Sequence, residues 1–134
     1  MTLVDTNVLL DLVTDDPTWA DWSVAQLEAV SLNGPLLIND AVYAELAVRY
    51  TRIEDLETFL DAAGLEMAPM PRAALFLAGK VFTQYRRSGG SRTGVLPDVF
   101  IGAHAAVARL PLLTRDVGRY RTYFPSLRLI TQGP

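Results

Sequence analysis

Asp5, Glu45, Asp98 and Asp116 are four of the fifteen acids in this 134-residue chain; two follow strand-like segments directly and two lie early in helical ones. Asp5 follows Leu3-Val4, and Asp116 comes just after Leu112-Leu113-Thr114. Glu45 lies about one turn into a helical segment that follows Leu36-Leu37-Ile38, and Asp98 stands in the first turn of an apolar helix opened by Pro97. In a parallel sheet such positions collect along the carboxyl edge of the strands. Four carboxylates gathered there cannot all stay ionised without a counter-charge. The chain has no cysteine and a single histidine, His104, so a metal would have to be held by oxygen ligands. Hard oxygen donors select Mg²⁺, with Mn²⁺ as a possible substitute. Such an ion lowers the pKa of a bound water and stabilises charge on a phosphoryl oxygen. Each acid also has an ordinary use. Asp5 suits a helix N-cap, Asp98 the positive end of its helix, Asp116 a turn before Gly118, and Glu45 a solvent-facing position.

The charge distribution bears on the substrate. The net charge is -3, but residues 1–70 carry two arginines against thirteen acids, a net of -11. Residues 71–134 carry nine arginines and Lys80 against Asp98 and Asp116 alone, a net of +8. Guanidinium groups suit bidentate phosphate contacts, so the second half is fitted to a polyanion, although such a bias also describes an ordinary charged surface. Arg86, Arg87 and Arg92 flank the flexible Ser88-Gly89-Gly90-Ser91 and are candidates to hold phosphates on either side of a cleaved bond.

The elements that must position these groups alternate regularly. Strands are expected at Leu3-Val4, Leu36–Ile38, Leu65–Ala68, Leu112–Thr114 and Leu127–Ile130. Helices are expected at Val8–Val13, 18–31, Ala41–Tyr50 with Asn39 or Asp40 as its cap, 53–63 closed by Gly64, 72–87, Asp98 to about Arg109, and a short turn from Tyr120 to Phe124. The pattern implies βαβ units, a mostly parallel sheet covered on both faces, and a single domain over 1–134. The helix after Asp98 is apolar nearly all round and therefore buried. His104 within it reads as a satisfied structural histidine. Trp19, Trp22, Tyr43 and Tyr50 read as core or partner surface. No apolar run is long enough for a membrane span. The first residues lack a signal-peptide pattern, and the absence of cysteine fits a reducing cytoplasm.

Four segments together resemble the acidic motifs of PIN-domain ribonucleases: Val4-Asp5-Thr6-Asn7-Val8-Leu9-Leu10-Asp11, Ala41-Val42-Tyr43-Ala44-Glu45-Leu46, Leu96-Pro97-Asp98-Val99-Phe100-Ile101-Gly102-Ala103-His104-Ala105 and Leu112-Leu113-Thr114-Arg115-Asp116. Their order and spacing are most similar to the VapC-type toxins of bacterial toxin–antitoxin pairs. The run Arg119-Tyr120-Arg121-Thr122-Tyr123-Phe124-Pro125 resembles one branch of that group. The resemblance implies a three-layer α/β/α sandwich and a Mg²⁺-dependent endoribonuclease. It implies catalytic roles for Asp5, Glu45, Asp98 and Asp116, with Asp5, Asp98 and Asp116 toward the metal and Asn7 and Thr114 orienting the acids. It also implies a homodimer, an RNA substrate and a VapB-type antitoxin through which alone operator DNA is bound. Two rivals remain from the residues. A phosphatase or phosphotransfer domain also places acids at strand ends, but Asn7 stands where a second aspartate would be needed. The other rival is a catalytically silent binding module.

Overall fold

The computed structural model describes residues 1–91 and 95–131. Five short strands form one parallel sheet: β1 (Thr2–Val4), β2 (Leu36–Ile38), β3 (Leu65–Met67), β4 (Leu112–Leu113) and β5 (Leu129–Ile130). Seven helices connect them: α1 (Thr6–Val13), α2 (Ala20–Ser31), α3 (Asp40–Ala47), α4 (Ile53–Ala63), α5 (Arg72–Arg87), α6 (Leu96–Ala108) and α7 (Val117–Tyr123). The strand order is β3-β2-β1-β4-β5, and every neighbouring pair is parallel. From β1 the chain builds outward to β2 and β3, then returns to lay β4 and β5 on the other side. The boundary between β1 and β4 is therefore the switch point of the sheet, where open α/β folds form their ligand crevice.

The three central strands β2, β1 and β4 are short and almost wholly apolar because they are buried on both faces, whereas the edge strands β3 and β5 are partly exposed. Leu3, Val4, Ile38, Leu112 and Leu113 are fully buried, together with Val8, Leu9 and Leu46 from the helices. No helix among the described residues is long and apolar enough to cross a membrane. Asn39 caps α3 by accepting from the Val42 amide, and Gly64 ends α4 in the left-handed conformation at φ 70°. The expected helix to Tyr50 stops at Ala47, because the amides of Arg49 and Tyr50 bond three residues back and tighten the last turn. The helix expected from Asp98 begins at Leu96, with Pro97 in its first turn where its missing N–H costs nothing. The short turn expected from Tyr120 begins earlier, at Val117, with Asp116 as its N-cap residue.

The long α6 runs through the core beside α5, with Ile101, Ala103 and Ala105 fully buried. His104, also buried, shares a 3.1 Å hydrogen bond with the Asn39 side chain, the structural role expected of it. Gly102 lets α6 lie against the Phe124 ring, which a Cβ there would strike. Gly102→Val would gain a few tenths of a kcal/mol in helix propensity but cost about 1–3 kcal/mol in overpacking, so the clash wins. We expect the melting temperature of that variant to fall by roughly 5–10 °C.

Candidate active site

The site grows from the end of β1. Asp5 is the N-cap residue of α1, and its Oδ1 accepts from the Thr6 amide at 2.7 Å. The cap role and a site role thus fall on one residue. Its Oδ2 faces the switch point and accepts from the Thr114 hydroxyl at 2.7 Å, the Tyr120 hydroxyl at 2.9 Å and the Asn7 amide at 3.3 Å. The Asn7 amide also donates to Thr114 Oγ1, and that oxygen accepts the Asp116 amide at 2.9 Å. Asn7 and Thr114 therefore hold the end of β1 and the β4–α7 turn together, with Asp5 between them.

Glu45 is half-buried on α3 and accepts from the Thr6 hydroxyl at 2.6 Å. Thr6 thus ties the second acid to the residue beside the first. Asp98 lies partly buried in the first turn of α6. Asp116 is exposed at the N-cap of α7, and its side chain makes no cap hydrogen bond.

The electrostatics show that these acids sense one another. Asp5 is pushed from 3.8 up to about 7, first by burial and then by the Asp98 charge, against the pull of its hydroxyl and amide donors. Glu45 is raised by burial and by Asp98, with the Thr6 hydroxyl opposing. Asp98 is raised by burial and by Asp116, with Arg119 opposing. The Tyr120 phenol is held well above its ordinary value by burial and by Asp5, Asp98 and Asp116, so it remains a neutral donor to Asp5. Acids drawn from four separate segments therefore share one region of negative field.

All four supply oxygen donors, and the raised carboxyls of Asp5, Glu45 and Asp98 mark a crowding of negative charge that a hard divalent cation would relieve. As the side chains lie, however, no three acidic or histidine groups among the described residues are arranged around a common ion position. Asp98 is instead ion-paired with Arg119. The site suits the ion by donor chemistry, with one oxygen of Asp98 engaged by Arg119.

Four groups of the site escaped the sequence reading. Thr6 and Tyr120 were not singled out, although Thr6 lies between two candidate residues and Tyr120 occupies an apolar position four residues after Asp116. Arg119 was one of nine arginines in the basic half. The fourth is the pair Asp11–Arg115. Arg115 donates two 2.7 Å bonds to the buried Asp11 carboxylate, which also accepts from Ser23 Oγ, and its guanidinium lies 4.7 Å from the Trp19 ring centre. Its backbone amide reaches Asn7 Oδ1 at 3.3 Å. This bidentate pair clamps the turn that carries Thr114 and Asp116 onto α1. Arg115→Ala leaves a buried acid short of its partner, and we expect a loss of about 2–3 kcal/mol in chemical unfolding. In a double-mutant cycle with Asp11→Ala, a coupling below about 0.5 kcal/mol would refute the clamp.

The proposed phosphate contacts at the α5–α6 connection fare differently. Arg86 donates to the Ser91 carbonyl at 3.4 Å and lies 5.8 Å from the Phe82 ring centre, within its own segment. Arg87 is exposed, and neither contacts the four acids among the described residues. Arg92 lies outside the described residues. An apolar groove of about 410 Å³, lined by Ala41, Ala44, Val48, Leu96, Pro97 and Phe100, runs beside Glu45.

A family model described as PIN domain matches residues 2–125. The chain belongs to the PIN-domain family. The five-stranded parallel sheet with its seven helices is a PIN-like α/β fold. No curated protein matches the sequence significantly. Among solved structures, this PIN domain is similar to VapBC2 of Rickettsia felis bound to a promoter DNA fragment, with TM-score 0.74 and 22% identity over 98% of both chains. It is also similar to a toxin–antitoxin complex from Klebsiella pneumoniae, with TM-score 0.68 and 22% identity over 98% of this chain and 97% of that one. A third is DNA-bound VapBC of Salmonella typhimurium, with TM-score 0.69 and 18% identity over 98% of each chain. At these identities the likeness establishes the fold.

Proposed function

We propose that this PIN domain is the toxin of a VapBC-type toxin–antitoxin pair and that it hydrolyses RNA phosphodiester bonds with Mg²⁺. The observation that supports this reading is that Asp98, at the start of α6, is coupled electrostatically to Asp5 at the end of β1, to Glu45 on α3 and to Asp116 after β4. The resemblance to complexes whose titles describe toxin–antitoxin assemblies supports the partner class. A bound Mg²⁺ would supply charge for the phosphate and a more acidic water.

The chain's own residues do the rest. Thr114, Tyr120 and the Thr6 amide fix both oxygens of Asp5, so it need not reorganise during reaction. Thr6 does the same for one oxygen of Glu45. Asp5 and Asp98 would hold the ion most directly, with Asp116 a further ligand on the solvent side. As water adds to phosphorus and the bond to the leaving ribose oxygen breaks, a carboxylate of the cluster accepts the proton of the water.

The account extends to a homodimer, to a VapB-type antitoxin that covers the site, and to operator DNA bound only through that antitoxin. It places the pair in the cytoplasm. Induced expression tests it in cells. Wild-type protein should arrest growth and yield RNA with new, sequence-defined ends, and co-expression of the product of the neighbouring upstream gene should restore growth. Growth arrest with intact RNA would overturn the nuclease reading.

A further inference from the structure

Two arginines four residues apart meet acids in opposite ways. Arg115 is locked. It bonds Asp11 bidentately, Asp11 is 3% exposed, and the guanidinium is stacked near Trp19. Arg119 is not. It touches Asp98 through Nη1, and the two side chains are 32% and 22% exposed. A guanidinium has five donors, so most of its capacity remains free toward solvent. Among the described residues, Arg119 is the one cation ion-paired with a member of the acid cluster.

Its anchorage does not depend on that pair. Tyr120, the next residue, is bonded to Asp5 from a buried position. Three residues earlier, Asp116 is bonded through its amide to Thr114. The backbone at Arg119 is thus held while its long side chain can pivot. A cation among the four carboxylates would offset their repulsion of a phosphodiester only in part, and a positive group of the chain beside them would favour its binding further.

Building on the ribonuclease reading, we propose that Arg119 exchanges partners: it neutralises Asp98 until a divalent cation takes that carboxylate, and then binds a phosphate oxygen of the RNA. It is a substrate-binding group held in reserve by an acid of the site. Two consequences separate this role from that of a fixed structural pair. Arg119 competes with the cation, so removing it improves metal binding. Arg119 also contacts phosphate, so removing it weakens RNA binding.

The test compares wild type, Arg119→Gln and Arg119→Lys in two measurements. In calorimetric titration with Mn²⁺ and no RNA, Arg119→Gln should bind severalfold more tightly than wild type. In Ca²⁺, its affinity for a fluorescein-labelled mixed-sequence oligoribonucleotide should fall about tenfold. Its salt slope should be shallower by about 0.7, the value for one single-strand phosphate contact. Arg119→Lys keeps the charge but loses the planar fork, so its oligoribonucleotide affinity should lie between the two. Should the glutamine variant fail to fold, the lysine variant carries the same comparison. Unchanged or weaker Mn²⁺ binding, or a wild-type salt slope, overturns the exchange. If wild type itself neither binds Mn²⁺ nor cleaves RNA, the ribonuclease reading fails. If wild type does both and the variants match it, only the role of Arg119 fails.

Discussion

Asp5→Asn should abolish Mg²⁺-dependent RNA cleavage while leaving the fold intact. Asn is nearly isosteric, and its Oδ1 can still accept from the Thr6 amide. The Tyr120 hydroxyl, which donates to Asp5 Oδ2, can rotate to accept from an amide instead, whereas Thr114 Oγ1 already accepts from the Asn7 and Asp116 amides and only loses its own acceptor. The charge, however, is gone from the most buried acid of the cluster. Losing a residue that only orients a metal ligand typically costs about 10–100-fold, so losing a ligand should exceed that, on the order of a thousandfold in kcat/KM. Steady-state cleavage of a defined RNA with matched circular dichroism spectra checks this. Near-wild-type activity would remove Asp5 from the chemistry and leave it a helix cap.

The second large effect is on stability. The Asp5 pKa rises from 3.8 to about 7 on folding without metal, mainly through burial. Below about pH 4 the group is protonated in both states, and its burial costs nothing. Between about pH 4 and 7 the unfolded chain releases the proton and the folded chain retains it, so stability falls as pH rises. Above about pH 7 both states are ionised and the full cost remains. A shift of that size corresponds to roughly 4 kcal/mol. Glu45 and Asp98 are raised too, so they act in the same direction. Unfolding free energies in urea with EDTA, measured from pH 4.5 to 8, should show wild type losing several kcal/mol relative to Asp5→Asn. The variant should be the more stable of the two at pH 8. Parallel profiles would show that the Asp5 carboxyl is not under strain.

The strands and the acids at their ends are legible in the sequence, and the partners of those acids are not. Leu36–Ile38 and Leu112-Leu113 stand out because strands buried on both faces must be apolar throughout. Strand–helix alternation then sends Asp5 and Asp116 to one edge, which the order β3-β2-β1-β4-β5 places at the switch point. Glu45 is open between solvent and interior in the sequence, and in the fold it is half-buried with the Thr6 hydroxyl, from the start of α1, donating to it. What remained illegible depends on side-chain direction. Eleven arginines look alike in a sequence, yet Arg115 locks a turn, Arg119 enters the acid cluster and Arg86 caps its own loop. The charge asymmetry singles out the basic half but does not choose among these side chains. Tyr120 was hidden for the opposite reason, since a buried aromatic normally signals core, and only its hydroxyl serves the site.

The acids also account for a feature of the wider sequence. Asp98 and Asp116 are the only acids of the basic half, and both lie within the field of the cluster. They are kept in place by neighbours that have other work, Asp98 at the mouth of the buried α6 and Asp116 on the turn clamped by Arg115. These acids thus stand on rigid elements, as a preorganised functional site requires.

The most direct measurement is cleavage of total RNA by purified wild-type protein in Mg²⁺, in EDTA, and in EDTA followed by excess Mg²⁺. The account predicts discrete fragments in Mg²⁺, intact RNA in EDTA, and fragments again when Mg²⁺ is restored. Cleavage that persists in EDTA, or intact RNA in all three conditions, would contradict a metal-dependent ribonuclease at the four acids.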